Sequence, residues 1–202
     1  MTLGKLPIAE LFQNGLASQT LRLACLMGLN FFAYQSFSGW LTIYLTDIRH
    51  VSGAAIGTLV AWPFAGNILG SFCWGWIGDR FGRRINALGF VVSSMAVGVY
   101  LVAPTGGWWL PIDGGIYGFG LAACVVWGPW LTELYPPHLK STAASIFNWG
   151  RLVSFFAPLV TGGLAGQVGL VATMALAILI FILAAGIWLT LPEGRTTRVS
   201  NV

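Results

Sequence analysis

Arg151 is the one charged side chain in an otherwise uncharged stretch from 142 to 165, about ten residues from its start. In a helix rising 1.5 Å per residue it would lie about 15 Å in, near the middle of a bilayer. Holding a guanidinium there costs at least roughly 2.5–3.5 kcal/mol, so something must offset it. An anionic ligand such as a carboxylate would do so. So would a carboxylate or freed backbone carbonyls of another helix. Asp113, just after Pro111, reads either as a first-turn residue serving a helix N-terminus or as a proton-carrying carboxylate. Asn30, Tyr34, Gln35 and Asn148 are placed to hydrogen-bond a small polar molecule, and Tyr34, Trp127 and Trp130 to stack on one. Plain packing is the competing reading of the aromatic rings.

Other chemistries lack their residues. Cys25, Cys73 and Cys124 sit in three different apolar runs with no CxxC and no Cys/His ligand spacing, so neither zinc nor a disulfide framework is indicated. His50 and His138 both fall in loops and no G-x-S-x-G is present, which argues against an intramembrane protease. The chain is not expected to be an enzyme, and no cofactor is expected.

The positioning elements follow from composition. Of 202 residues, 56% are hydrophobic and 8% charged, against roughly 25% charged in soluble domains. So few charges cannot solvate the surface of a soluble domain of this length, and lipid removes the need. The net charge of +4 forms no continuous patch, so a nucleic-acid partner is not expected. A spanning helix needs about 20 mostly apolar residues. Six runs qualify: about 21–46, 54–77, 85–104, 111–134, 142–165 and 169–191. The fold expected is an all-α membrane protein of six antiparallel helices over 20–191. Residues 1–19 would form an interfacial segment or linker, and 192–202 a tail. The first nineteen residues lack the apolar core and cleavage site of a signal peptide.

Lys5, Arg22, Arg80, Arg83, Arg84, Lys140, Arg195 and Arg198 fall on one side of this topology and Arg49 alone on the other. That asymmetry predicts both termini in the cytoplasm. The third and sixth runs are bland and read as lipid-facing, whereas the first, fourth and fifth carry the polar groups and should face protein or water. A period of three helices is what a 3+3 inverted repeat gives. Gly66/Gly70, Gly114/Gly118 and Gly162/Gly166 are G-x-x-x-G pairs for close helix approach. Pro63, Pro129 and Pro158 are expected to interrupt three spans.

The loop after the second run reads "GWIGDRFGRR", setting Gly75, Asp79, Arg80, Gly82, Arg83 and Arg84 in the spacing G-x-x-x-D-R-x-G-R-R. This resembles the signature loop of the major facilitator superfamily, between the second and third helices of each six-helix half. Glu133, Pro136, Thr142, Asn148, Gly150, Arg151 and Pro158 resemble the tenth-to-eleventh helix region of its metabolite:proton symporters, and the "LPEG" of Leu191 to Gly194 resembles the close of the last helix. Together these identify a carboxyl-terminal half of the sugar and organic-acid branch. Two departures stand out: His138 and Lys140 replace the family's loop arginines, and lysine does not reproduce a bidentate arginine.

The resemblance implies secondary transport by alternating access in the cell membrane, of a small polar metabolite or organic anion, driven by protons. The signature loop and Glu133 would gate. The family builds its path between two halves, so the partner would be an amino-terminal half or a second half-sized chain. The rival expectation is an inactive fragment, or a binding or regulatory half without transport of its own.

Overall fold

The computed structural model describes residues 7–13 and 15–193, excluding the side chains of Pro7, Ile146, Phe147, Asn148 and Ser154. Among the described residues the regular structure is helical throughout. The elements are α1 (Pro7–Leu11), α2 (Leu16–Phe37), α3 (Leu41–Ile43), α4 (Gly53–Phe81), α5 (Ala87–Val102), α6 (Trp109–Leu121), α7 (Trp127–Leu134), α8 (Lys140–Val168) and α9 (Leu170–Thr190). A π-helical stretch, Tyr44–Ile48, prolongs α3, and 3₁₀ turns at Arg83–Asn86, Ala122–Val126 and Pro137–Leu139 lead into α5, α7 and α8.

Among the described residues five helical stretches are long and apolar enough to cross a membrane: Gly53–Phe81, Arg83–Val102, Trp109–Leu134, Pro137–Val168 and Leu170–Thr190. The first apolar run is different. Its 22-residue helix α2 stops at Phe37, and the chain breaks over Ser38–Trp40 before winding on to Ile48. This is a membrane protein built as a helical bundle.

Glycine decides which helices touch. A Cβ on Gly66 would run into the Gly115 carbonyl, one on Gly118 into the Pro63 carbonyl, and one on Gly70 onto the Phe119 backbone. So α4 and α6 meet backbone to backbone, as small residues permit in lipid. Gly89 and Gly120 bring α5 against α6 in the same way. The third G-x-x-x-G pair does no such work among the described residues, where a Cβ on Gly162 would touch the Trp40 ring at 3.6 Å and one on Gly166 would meet nothing within 4 Å. Pro63 and Pro158 do not interrupt their spans; α4 and α8 run on through them. Pro129 lies in the first turn of α7, where a missing N–H costs least.

The bland third and sixth helices are buried on part of their surface only. In their most apolar stretches, half of the third span and a third of the sixth are buried, against 17% of the second and 21% of the fifth. Side chains without polar groups pack on other helices as readily as on lipid. The core is aromatic: Phe90 stands between Trp127, Phe181 and Trp188, with ring centroids 5.2–5.6 Å away.

Candidate functional site

A cleft of about 240 Å³ opens between α2, α4 and α6, lined by Tyr34, Ser38, Pro63, Asn67 and Tyr117 among apolar neighbours. The break after α2 makes room for it. The Ser38 N–H still donates to the Tyr34 carbonyl at 2.7 Å. At Gly39 a Cβ would lie 2.6 Å from Gln35 Cδ, because the Gln35 side chain folds over that position. Trp40 Nε1 then donates to Thr161 Oγ1 at 2.8 Å, tying the break to α8. Ser38 Oγ and the Tyr117 hydroxyl share a hydrogen bond of 2.9 Å, and Asn67 Nδ2 donates to the Gly118 carbonyl at 3.4 Å. The lining carries hydroxyls and an amide but no charged side chain.

The residues singled out in the sequence divide around this cleft. Tyr34 lines it, and Gln35 sits at the break beside it. Asn30 is buried in α2, its Oδ1 without a partner among the described residues. Trp127 does not reach the cleft. It is enclosed by Phe90 and Trp188, with centroids 5.6 and 5.1 Å away, which makes it a packing residue. Trp130 likewise stacks on Trp188 and donates to the Pro192 carbonyl. The Asn148 side chain lies outside the described residues.

Arg151 is exposed on α8 and makes no ion pair among the described residues. The neighbouring Gly150 lets α8 close on α2, where a Cβ would come within 2.9 Å of Met27 and Phe31.

Asp113 is not a helix cap. Since α6 begins at Trp109, Asp113 falls in its second turn, and no side chain caps that end. It is 7% exposed, with Oδ2 unpartnered among the described residues.

The signature loop forms a second constellation. Arg83 donates to Asp79 Oδ1 at 2.6 Å and to Glu133 Oε1 at 3.0 Å, joining the end of α4 to α7. The Arg83 backbone N–H donates to Glu193 at 3.0 Å, and Arg84 Nε donates to the Leu191 carbonyl at 2.6 Å. Gly82 adopts a φ of +95°, and Glu193 presses on it so closely that a Cβ would lie 3.0 Å from its carboxylate. Gly78 abuts Val126 and Asn86, whereas a Cβ on Gly75 would meet no other element within 4 Å among the described residues. Arg80 is exposed and lies 5.9 Å over the Phe81 ring. His138 meets Glu10 at 2.9 Å, so the 3₁₀ turn before α8 is tied to α1.

Sequence reasoning missed Asn67 and Asn86. Asn67 is a lone amide in a long apolar span one turn past Pro63, which is signal enough to flag it. Asn86 donates to the carbonyls of Trp74 and Ala123, and nothing local in the sequence marks that role.

The model of the Major Facilitator Superfamily matches residues 23–201. Among curated proteins, the chain is 30% identical over 148 residues to solute carrier family 2, facilitated glucose transporter member 10 of Xenopus laevis. That match covers 69% of this chain and 26% of the relative. It is 33% identical over 108 residues to inositol transporter 4 of Arabidopsis thaliana, covering 52% and 17%. It is 26% identical over 169 residues to a putative metabolite transport protein of Haemophilus influenzae, covering 81% and 41%. The chain thus spans less than half the length of these relatives. Among solved structures, the peptide transporter POT in complex with alafosfalin superposes with a TM-score of 0.70 at 20% identity, covering 90% of this chain and 40% of that one. The inward-open xylose transporter XylE from E. coli gives 0.62 at 21%, covering 88% and 48%. The chain belongs to the Major Facilitator Superfamily, whose members are transporters and not enzymes.

Proposed function

We propose that this chain is one six-helix half of a secondary transporter in the cell membrane, and that its cleft is half of a central site for a small, neutral, hydroxyl-bearing metabolite. The cleft carries the reading. It is open, its polar groups are hydroxyls and an amide, and its volume falls below the roughly 300–1,000 Å³ of pockets that enclose a ligand. A half-site should do so, because the family places substrate between two halves near the midplane. Relatives named for glucose, inositol and xylose support the same class.

In this reading α2 to Ile48 is the first of six spans, the halves of the bundle form a 3+3 inverted repeat, and both termini are cytoplasmic. Transport runs by alternating access against an amino-terminal half or a second half-sized chain, driven by protons. The Asp79–Arg83–Glu133 network and Glu193 latch the cytoplasmic face. Arg151 favours a second reading, an organic-anion substrate: its guanidinium is exposed deep in a span and lacks an ion pair among the described residues.

Uptake assays with an amino-terminal half supplied in trans separate the readings. The chain alone is expected to transport nothing, and uptake by it alone would overturn the half-transporter. With the second half, Asn67→Ala should weaken uptake of sugars and polyols, whereas Arg151→Gln should spare them. If acids are the substrate, Arg151→Gln abolishes their uptake, and lysine there restores only part because it lacks the bidentate fork. Absence of transport in every combination would leave the rival, a regulatory or inactive half.

A further inference from the structure

At the end of the bundle away from the signature loop, three side chains, the half-buried Arg49 among them, each keep one buried polar atom without a hydrogen bond among the described residues. Asp113 on α6 and Tyr100 on α5 are 7% and 0% exposed, and Asp113 Oδ2, the Tyr100 hydroxyl and Arg49 Nε all lack hydrogen bonds. Tyr100 lies within electrostatic reach of Tyr44, Arg49 and Asp113. Its ring edge packs beside Gly114, where a Cβ would lie 3.5 Å away. Tyr44 donates to the Leu101 carbonyl at 3.2 Å, and Arg49 donates to the Ala103 carbonyl and lies 5.7 Å over the Tyr44 ring. No ion pair joins Arg49 to Asp113. On the remaining sides, α4 presents Pro63 to this turn, and α6 itself presents Tyr117 one turn further on.

A buried carboxyl group with neither cation nor donor is costly as an anion. The smallest species that satisfies it is a proton. A metal cation is a poor alternative, since hard cations take about six or more oxygen ligands and the described residues hold no cluster of three His, Cys, Asp or Glu. The position matters as much as the chemistry. Asp113 is four residues before Tyr117, hence about 6 Å away along α6, and Tyr117 lines the cleft and bonds Ser38 at its break.

Resting on the transporter reading above, we propose that Asp113 is the proton-binding site that drives transport, loaded past Tyr100 from the Arg49 end. Loading forms one O–H bond at the carboxylate and removes its charge. Release returns the proton to water and restores the carboxylate. The loaded state lets the turn of Asp113 and Tyr117 pack apolar against α4 and α5, and so sets whether the Ser38 break closes over the cleft.

Infrared spectroscopy of the whole chain in lipid nanodiscs reads the site without transport. A protonated-carboxyl band should vanish as the pH is raised, be absent from Asp113→Asn, and persist in Tyr100→Phe with slower hydrogen–deuterium exchange. A carboxylate that stays ionised throughout, a band unmoved by pH, or a band that responds to sodium and not to pH would overturn the proposal. In the two-half assembly, Asp113→Asn should lose accumulation driven by a pH gradient while still equilibrating substrate. Undiminished accumulation by Asp113→Asn would sink the coupling role. An assembly that moves no substrate would count against the transporter reading, while the infrared titration would still decide the proton site.

Discussion

At the signature-loop end, Arg83 bridges Asp79 and Glu133, and Glu193 takes its backbone N–H and lies 3.8 Å from Arg84, so the carboxylates there are paired. At the far end, Arg49 has only the Ala103 carbonyl and the Tyr44 ring among the described residues, and no ion pair joins it to the buried carboxyl of Asp113. A paired network costs free energy to open and suits a latch. Unpaired groups change state when something small binds, and suit a sensor. One helical bundle thus stores its electrostatic energy at one end and leaves it unspent at the other.

The sharpest test of this contrast is Arg83→Gln. The Arg83 and Glu133 side chains are 11% and 15% exposed, and removing one partner of a largely buried pair costs about 3 kcal/mol. Thermal unfolding in detergent should show a clear drop in melting temperature, and wild-type stability would mean that the network holds nothing together. Arg49→Gln should cost less, about 1 kcal/mol for a carbonyl hydrogen bond and a cation–π contact, and should leave the signature-loop end unchanged to limited proteolysis. A loss as large as that of Arg83→Gln would erase the distinction between the ends. Asp79 is 70% exposed, so Asp79→Asn should change stability by no more than ~1 kcal/mol. In a transporting assembly it should nevertheless cut turnover while substrate affinity stays within a few-fold. An equal loss of affinity would place the loop in the binding site and not in the latch.

How much of this was legible in the sequence depended on whether the cause was local. Apolar runs are long-range signals of one kind, and Gly82, Asp79 and Arg83 carry their geometry in a ten-residue pattern. The break at Ser38–Trp40 was not legible, because it depends on Gln35 folding over Gly39 and on Thr161 receiving the Trp40 N–H from α8. Nor was the 3₁₀ stretch Ala122–Val126, where Asn86 supplies a donor to the Ala123 carbonyl from another element. Trp127 misled for a related reason. Its ring is equally suited to a ligand and to Trp188, and only the packing of α5 and α9 around it decides. For Asp113 the sequence left a first-turn residue and a proton-carrying carboxylate both open, because it set the helix start near Pro111 and not at Trp109. Two residues there separate a first-turn carboxylate from a buried one.

The low burial of α4 and α8 has a consequence for how such a bundle finds its neighbours. Phe64, Ile68, Leu69 and Phe72 on α4, and Phe155, Phe156 and Leu159 on α8, lie on exposed surfaces that hydrocarbon chains wet as readily as another helix does. Lipid is then a competing ligand for those faces, present at the concentration of the solvent itself. Association becomes an exchange of lipid contacts for protein contacts, driven by packing fit and not by escape from water. Its equilibrium is set by the number of protein molecules per lipid. Diluting the membrane with added phospholipid, at constant protein in the tube, should therefore dissociate whatever rests on α4 and α8.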